Sequence, residues 1–201
     1  MVIPISTDAV RHRLHQSAKT HEAVLADDDL IADVVAATNE LVAAFRAGGK
    51  LLCFGNGGSA SDAQHITGEF VSRVFLERPG LPAIALGANF AVSSAISNDY
   101  DFELVFAKQI VALGRAGDVA LGISTSGNSK NVIAGLEIAR ERGLVTMALT
   151  GRDGGRLPPV DYLFRIPSDV TPRIQECHIL IGHIVSELVE ATLFGSQGGS
   201  R

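Results

Sequence analysis

The sequence predicts an α/β protein built on a doubly wound, parallel five-stranded sheet, with a helical extension at its N-terminus. Short apolar runs alternate with helical patterns over residues 51–166. This alternation is typical of parallel strands joined by right-handed crossovers. Two of the runs end in Gly-rich or Ser-rich loops that open helices. Ligands of such a sheet bind at the carboxyl ends of its strands.

Two helical patterns precede the first strand. The first, Asp8–Ala26, is weakly apolar, whereas the second, Leu30–Phe45, carries a wide apolar stripe. Residues 27–29 are three aspartates that can cap the second helix, and Gly48 and Gly49 can end it. Two helices are more than one sheet face needs. Packing against another subunit and an ordinary helical cap on the domain both remain open.

The remaining elements follow in order. The predicted strands are residues 51–54, Pro82–Leu86, Asp118–Ile123, Val145–Leu149 and Tyr162–Ile166. Besides the helix that follows the first loop, the predicted helices are Asn89–Ser97, Phe102–Leu113, Asn131–Arg142 and Arg173–Phe194. We expect residues 1–49 to belong to the same domain as residues 50–195, and residues 196–201 to form a frayed tail.

Composition limits the function classes. The chain has 201 residues, of which 46% are hydrophobic and 19% charged, as in a well-packed globular protein. A net charge of -5 without a basic cluster argues against nucleic acid. The two cysteines, Cys53 and Cys177, fall in predicted core elements. Because we find neither a signal peptide nor a run that approaches a membrane span, we expect a cytoplasmic protein.

The first loop follows the strand at residues 51–54. Its spacing, Gly55-x-Gly57-x-x-Ala60, formally matches a dinucleotide-binding fingerprint. The acidic ribose partner should then end the second strand, but that strand ends in residues 86–89, Leu-Gly-Ala-Asn. Dinucleotide binding is therefore a minor alternative, and no Walker A motif is present. The N–H groups at the start of the next helix predict an anion site.

The second loop, Ser124–Ser129, lies between a predicted strand and a predicted helix. Its hydroxyls and the helix N-terminus form a neutral phosphate site, to which Lys130 adds little. Ser and Thr are also common in turns, so this loop alone would be weak support. Its place on the same sheet edge as the first loop favours phosphate binding.

A third group of polar residues lies on two helices. His65 and Glu69 are spaced i, i+4 and share a helix face, as a solvated pair or as part of a metal or acid/base site. Gln175 and His183 interrupt an otherwise apolar helix, roughly 12 Å apart. They can share a metal only if their side chains lean together or come from separate subunits. His178 lies off that pairing, and we interpret it as structural or as a residue that supports a metal ligand.

These segments resemble the phosphoheptose isomerases of the sugar isomerase (SIS) superfamily, which has a flavodoxin-like sheet. The resemblance extends from about residue 32 to residue 194. It is carried by five ordered motifs: Gly55–His65, Ser97–Tyr100, Gly122–Ser129, Leu149–Gly155 and Arg173–Glu176.

The resemblance implies a zinc-dependent homotetramer that converts sedoheptulose 7-phosphate to D-glycero-D-manno-heptose 7-phosphate. The implied metal ligands are His65, Glu69, Gln175 and His183. The implied substrate contacts are Asn56, Gly57, Gly58, Glu69, Asn98, Asp99, Ser124, Thr125, Ser126, Ser129 and Gln175. An aldose–ketose conversion needs a base and an acid, which we assign to Glu69 and His183. Some relatives have Asp where this chain has Pro172.

The main rival is a binding protein. The superfamily includes a non-catalytic homotetramer that associates with the bacterial replication initiator and resembles this chain in both loops. That branch lacks the acid/base pair, whereas Glu69 and His183 are both present here. A third option is a sugar-phosphate-sensing regulator, which usually brings an attached DNA-binding domain, for which we expect no room in this chain. The sequence therefore predicts an enzyme acting on a phosphorylated seven-carbon sugar, without nucleic acid or membrane partners.

Overall fold

A computed structural model describes residues 5–195, and the tail expected at residues 196–201 lies outside this range. The chain order is α1 (Thr7–Leu25), α2 (Asp28–Arg46), β1 (Leu51–Gly55), α3 (Gly58–Val71), β2 (Ala83–Ala85), α4 (Phe90–Asp99), a 3₁₀ turn (Phe102–Leu104), α5 (Val105–Leu113), β3 (Val119–Ser124), α6 (Lys130–Glu141), β4 (Val145–Thr150), β5 (Tyr162–Arg165) and α7 (Thr171–Phe194). The predicted fold class is confirmed.

All five strands are parallel, and their spatial order is β2-β1-β3-β4-β5. Side chains of β1 alternate between the two faces of the sheet. Leu51 and Cys53 join a core formed with α2, α3 and α7, whereas Leu52 and Phe54 join a second core formed with α5 and α6. A strand buried on both faces has no polar alternation, which is why β1 is a continuous apolar run.

The helix α2 begins at Asp28 rather than Leu30 and ends at Arg46 rather than Phe45, but capping residues close both of its ends as predicted. The Asp27 side chain accepts a hydrogen bond from the Leu30 amide, at 3.0 Å, and so caps the helix N-terminus. Gly48 has a φ of 79° and follows the last turn, where the Gly49 amide donates to the Ala44 carbonyl at 2.8 Å. The helix therefore begins and ends where the capping residues indicate.

Other boundaries differ slightly from the prediction. The predicted helix at residues 102–113 is divided into the 3₁₀ turn and α5, and α7 begins at Thr171 rather than Arg173. Pro172 lies in the first turn of α7. A proline fits there because its missing N–H would have no partner within the helix and its φ is already helical.

By length and composition, α7 could cross a membrane, contrary to the expectation that no run approaches a membrane span. The helix contacts α2 and α3. It buries Ile174, Cys177 and Ile181 in the core shared with β1. This packing accounts for its apolar composition.

Candidate active site

Two loops at the carboxyl ends of adjacent strands form the centre of the site. Residues 56–57 join β1 to α3, and residues 125–129 join β3 to α6. Gly55 of β1 lies opposite Ile123 of β3. A Cβ on Gly55 would lie 2.8 Å from the Ile123 carbonyl oxygen and 2.7 Å from the Ser59 Cβ, so a larger residue would not fit. The prediction that both loops share one sheet edge is confirmed.

The loop after β3 presents hydroxyl groups. Ser124 is buried, and its hydroxyl donates to the Ser129 hydroxyl at 3.2 Å. Ser126 is exposed, and its Oγ accepts a bond from the Asn128 amide at 3.2 Å. Thr125 is half-buried between them. These groups can bind a phosphate without a cationic side chain.

The segment that follows β4 supports this loop. The Gly151 amide donates to the Thr125 carbonyl at 3.1 Å. Gly127, with a φ of 63°, packs so closely that a Cβ there would lie 2.0 Å from the Gly154 carbonyl oxygen. Beside this contact lies an open cavity of about 240 Å³. Its walls are Thr125, Ser126, Gly151, Arg152, Asp153, Gly154, Ser168, Asp169, Thr171 and Ile174.

The two loops are joined by a pair of amide side chains. Asn56 Nδ2 donates to Asn131 Oδ1 at 2.8 Å, and Asn131 Nδ2 donates to Asn56 Oδ1 at 3.0 Å. Asn131 is 3% exposed and belongs to α6. Each amide keeps one N–H and one lone pair for other partners. Asn131 is not among the residues predicted from the sequence, although its place in the first turn after the Ser-rich loop is a usable signal.

His65 and Glu69 of α3 converge with His183 of α7. His65 Nε2 lies 2.8 Å from His183 Nε2 and 3.2 Å from Glu69 Oε1. The ligand atoms of all three residues lie within 4.8 Å of one another. The structure therefore brings together three of the four predicted metal ligands, two from α3 and one from α7.

The donor set of this group suits a divalent metal. Two ring nitrogens at 2.8 Å can share a hydrogen bond only if one is protonated and the other is not. If both nitrogens are unprotonated, their lone pairs are available to a cation together with the Glu69 carboxylate. Two imidazoles and one carboxylate match the ligand preferences of Zn²⁺. The residues present fit a bound metal.

The fourth predicted ligand, Gln175, lies against the start of α3. A Cβ on Gly58 would lie 2.2 Å from Gln175 Nε2 and 2.5 Å from Oε1, so the absence of a side chain makes room for this amide. Asp62 is 7% exposed, and its Oδ2 has no hydrogen-bond partner among the described residues. Burial raises the Asp62 pKa to about 6, and the Gln175 side chain and His65 oppose that shift. Asp62 lies within the motif Gly55–His65 but is not among the site residues predicted from the sequence.

Asn98 and Asp99 lie at the C-terminal end of α4. Both are exposed, and Asn98 Nδ2 donates to Asp99 Oδ1 at 2.9 Å. They do not line the cavity beside Ser126. Their predicted contact with substrate remains a proposal.

His178 is fully buried in α7. Its Nε2 donates to the Thr150 carbonyl at 3.2 Å, while Nδ1 has no partner among the described residues. Burial lowers the His178 pKa to about 4, against the opposing effect of the Thr150 hydrogen bond. The residue is a neutral core histidine that ties α7 to the sheet, as its structural interpretation requires.

Both the fold and the sequence have close counterparts. The sequence profile of the SIS domain family matches residues 14–151. The chain is 51% identical over 189 residues to a phosphoheptose isomerase from Thermodesulfovibrio yellowstonii, covering 93% of this chain and 92% of the relative. It is 46% identical over 191 residues to one from Aneurinibacillus thermoaerophilus, covering 94% and 96%. The structure of a phosphoheptose isomerase from Neisseria gonorrhoeae matches with a TM-score of 0.85 and 40% identity, covering 92% of this chain and 98% of that one.

A five-stranded parallel sheet with paired Gly-rich and Ser-rich loops defines an SIS-domain protein. Within that class the agreement in sequence extends over nearly the whole length of the relatives. The chain belongs to the phosphoheptose isomerase family, and it is an enzyme. The resemblance stated from the sequence is confirmed, and the comparisons do not favour the rival binding protein.

Proposed function

We propose that the enzyme converts sedoheptulose 7-phosphate to D-glycero-D-manno-heptose 7-phosphate by proton transfer through an enediol. The observation that carries this proposal is the convergence of His65, Glu69 and His183 in a protein whose β3–α6 loop presents hydroxyl groups to a phosphate. His65, Glu69 and His183 can transfer protons, and the hydroxyl groups of the loop after β3 can bind a phosphate. The relatives are named phosphoheptose isomerases and align over nearly their whole length, which supports a heptose phosphate as the substrate.

In this proposal Glu69 is the base and His183 the acid. Glu69 accepts the proton from C1 of the ketose, and the electron pair of that C–H bond forms the C1–C2 double bond. His183 donates a proton to the C2 oxygen. Return of a proton to C2 and loss of the O1 proton complete the aldose. The half-buried Glu69 and His183 lie on adjacent helices, so they can act on the same carbon pair.

We assign the metal to His65, Glu69, Gln175 and His183, with Zn²⁺ as the ion. When bound, the metal would supply positive charge that stabilises the enediolate oxygens. The proposed phosphate contacts are Ser124, Thr125, Ser126 and Ser129. The proposed contacts to the rest of the sugar are Asn56, Gly57, Gly58, Glu69, Asn98, Asp99 and Gln175.

We also propose a cytoplasmic homotetramer. None of the residues of α4 is buried, and Phe90 is 82% exposed. Tyr100 and Phe102, which follow α4, are also exposed. An apolar face of this kind is expected to be covered by another subunit. The net charge of -5 and the two buried free cysteines support a reduced compartment without nucleic acid or membrane partners.

The test is turnover of the purified, zinc-loaded enzyme with a panel of ketose phosphates of five, six and seven carbons. Sedoheptulose 7-phosphate should give the highest kcat/KM. In heavy water, the wild-type enzyme should incorporate deuterium at the carbon next to the carbonyl. Glu69→Gln should bind substrate but lose about 10²–10⁴-fold in rate, because an amide cannot accept the C–H proton. Absence of both aldose and deuterium exchange in the wild type would overturn the isomerase proposal.

A further inference from the structure

A buried carboxylate fastens the segment after α3 to α7. Glu190 of α7 is 1% exposed. Its carboxylate accepts bonds from the backbone amides of Val74, Phe75 and Leu76, at 3.0, 2.7 and 2.9 Å. It accepts a fourth bond from Arg78 Nε, at 2.8 Å. Burial alone would raise the pKa of Glu190. The four hydrogen bonds to its carboxylate have the larger combined effect, and they lower the pKa to about 2.

The partner of this carboxylate, Arg78, binds the end of α3. Its side chain is 1% exposed. Nη2 donates to the Glu69 carbonyl at 2.8 Å, and Nη1 donates to the Phe70 carbonyl at 2.8 Å and to the Pro79 carbonyl at 3.0 Å. The last carbonyls of a helix have no partner within it. Arg78 supplies partners for two of them, and the Phe194 ring lies 5.6 Å from its guanidinium.

The Arg78–Glu190 pair therefore joins the two helices that carry the candidate acid/base and metal group. Arg78 binds the backbone of Glu69 itself, and Glu190 lies about two helical turns after His183. Closer to His65 and His183, α3 and α7 pack directly against each other at Gly182 and Ile66. A Cβ on Gly182 would lie only 2.6 Å from the Ile66 side chain. The contact between Gly182 and Ile66 thus holds the two helices together before Glu69. The Arg78–Glu190 pair holds them together where α3 ends, at the Glu69 and Phe70 carbonyls.

Stability alone is a weak explanation for such a pair. Buried ion pairs can often be replaced by apolar residues of similar size with little loss of stability. An apolar pair, however, could not bind two helix-end carbonyls and three loop amides in fixed directions. The directional bonds fix the end of α3 relative to α7, and with it the Glu69 side chain relative to His183.

We propose that Arg78 and Glu190 are positioning residues, which hold α3 and α7 at the separation that lets His65, Glu69 and His183 act on one metal and one substrate. This inference rests on the proposed function. Glu190→Gln keeps the shape but lacks one acceptor oxygen and the charge. Arg78→Lys keeps the charge but cannot bind the carboxylate and the two helix carbonyls together.

Asp118 provides a matched control. It is 2% exposed, pairs with Lys50 at 2.6 Å, and accepts the backbone amides of Lys50 and Arg115 at 3.0 and 2.8 Å. It directly precedes β3, and its partners Lys50 and Arg115 belong neither to α3 nor to α7. Asp118→Asn therefore damages a similar buried network without touching α3 or α7.

The experiment measures the thermal midpoint, the Zn²⁺ affinity of the metal-stripped protein, and kcat and KM of the zinc-loaded enzyme. We expect Glu190→Gln and Arg78→Lys to weaken Zn²⁺ binding by about 10–100-fold and to lower kcat more than they raise KM. The double variant should lose little more than the worse single variant, because both changes break the same link. Asp118→Asn should lower the thermal midpoint while Zn²⁺ affinity and kcat stay within about twofold of the wild type.

If Arg78→Lys and Glu190→Gln lower the thermal midpoint but leave Zn²⁺ affinity and kcat within about twofold of the wild type, as expected for Asp118→Asn, the pair is only structural and the inference is wrong. A wild-type protein that neither binds Zn²⁺ nor isomerises the sugar would overturn the proposed function, and this inference with it. Should Glu190→Gln not fold, the same comparison is decided by Arg78→Lys, which introduces no uncompensated buried carboxylate charge.

Discussion

Replacing Gly58 by alanine should separate the stability of the enzyme from its activity. Gly58 is the first residue of α3 and does not have a positive φ, so the backbone accepts alanine. A glycine in a helix costs about 0.5–1 kcal/mol relative to alanine. We therefore expect the free energy of unfolding of Gly58→Ala to equal or slightly exceed that of the wild type.

Activity should change in the opposite direction. The new Cβ would lie 2.2 Å from Gln175 Nε2, whereas ordinary contact begins at 3.4 Å, so the amide must move by about 1 Å or more. Gln175 is long and flexible, and its amide can move without displacing the backbone. Because a displacement of about 1 Å in a reacting group costs about 10²-fold in rate, kcat should fall by about that factor.

Gly68→Ala is the matched control. Gly68 lies in the same helix, is exposed, and has no atom within 4 Å of the added Cβ. Its thermal midpoint should rise while kcat stays unchanged. Gln175→Ala should lose as much activity as Gly58→Ala, and the double variant should lose no more. If Gly58→Ala retains the wild-type kcat and Zn²⁺ affinity, Gln175 does not act in the position that the structure gives it.

Three further predictions test the phosphate loop, the metal and the buried histidine. Ser124→Ala combined with Ser126→Ala should raise KM by about 10²-fold or more, since each charge-assisted hydrogen bond contributes about 1.5–3 kcal/mol; an unchanged KM would place the phosphate elsewhere. Chelation should abolish turnover and Zn²⁺ should restore it, so full activity of metal-free protein would refute the metal. Because the pKa of His178 is lowered from 6.5 to about 4, only the unfolded chain takes up this proton between those pH values. The free energy of unfolding should therefore fall by about 3 kcal/mol through this group as the pH drops from 6.5 to 4, and denaturant titrations of His178→Gln should not show that loss. A difference in the free energy of unfolding between wild type and variant that does not change with pH would contradict this prediction.

The order and type of the elements could be predicted from local patterns. An apolar run such as Leu51–Phe54 must be buried on both faces, and only a sheet covered by helices on both sides does this. Asp27 before α2 and the glycines after it mark the ends of this helix. Boundaries were less well predicted where tertiary contacts decide them, as at the 3₁₀ turn Phe102–Leu104, which interrupts an otherwise helical pattern.

The candidate site was only partly predictable, because its contacts join residues that are far apart in sequence. His65 and His183 are separated by 118 positions, and the spacing of Gln175 and His183 alone left a shared metal open. The assignment of ligands came from the family resemblance. Asn131 was missed because its partner, Asn56, lies 75 positions away, and nothing in a helical pattern indicates which buried amide it will meet.

The Arg78–Glu190 link shows the same limit most clearly. In the sequence, Arg78 lies in an irregular segment and Glu190 is one of several acidic residues on a long helix. Local pattern predicts that both are exposed, because unpaired charges are rarely buried. Only the fold brings them within 2.8 Å, across 112 positions, and only then does burial become favourable for each. Residues that position an active site in this way are therefore found by asking which buried charges satisfy the ends of the helices that carry it.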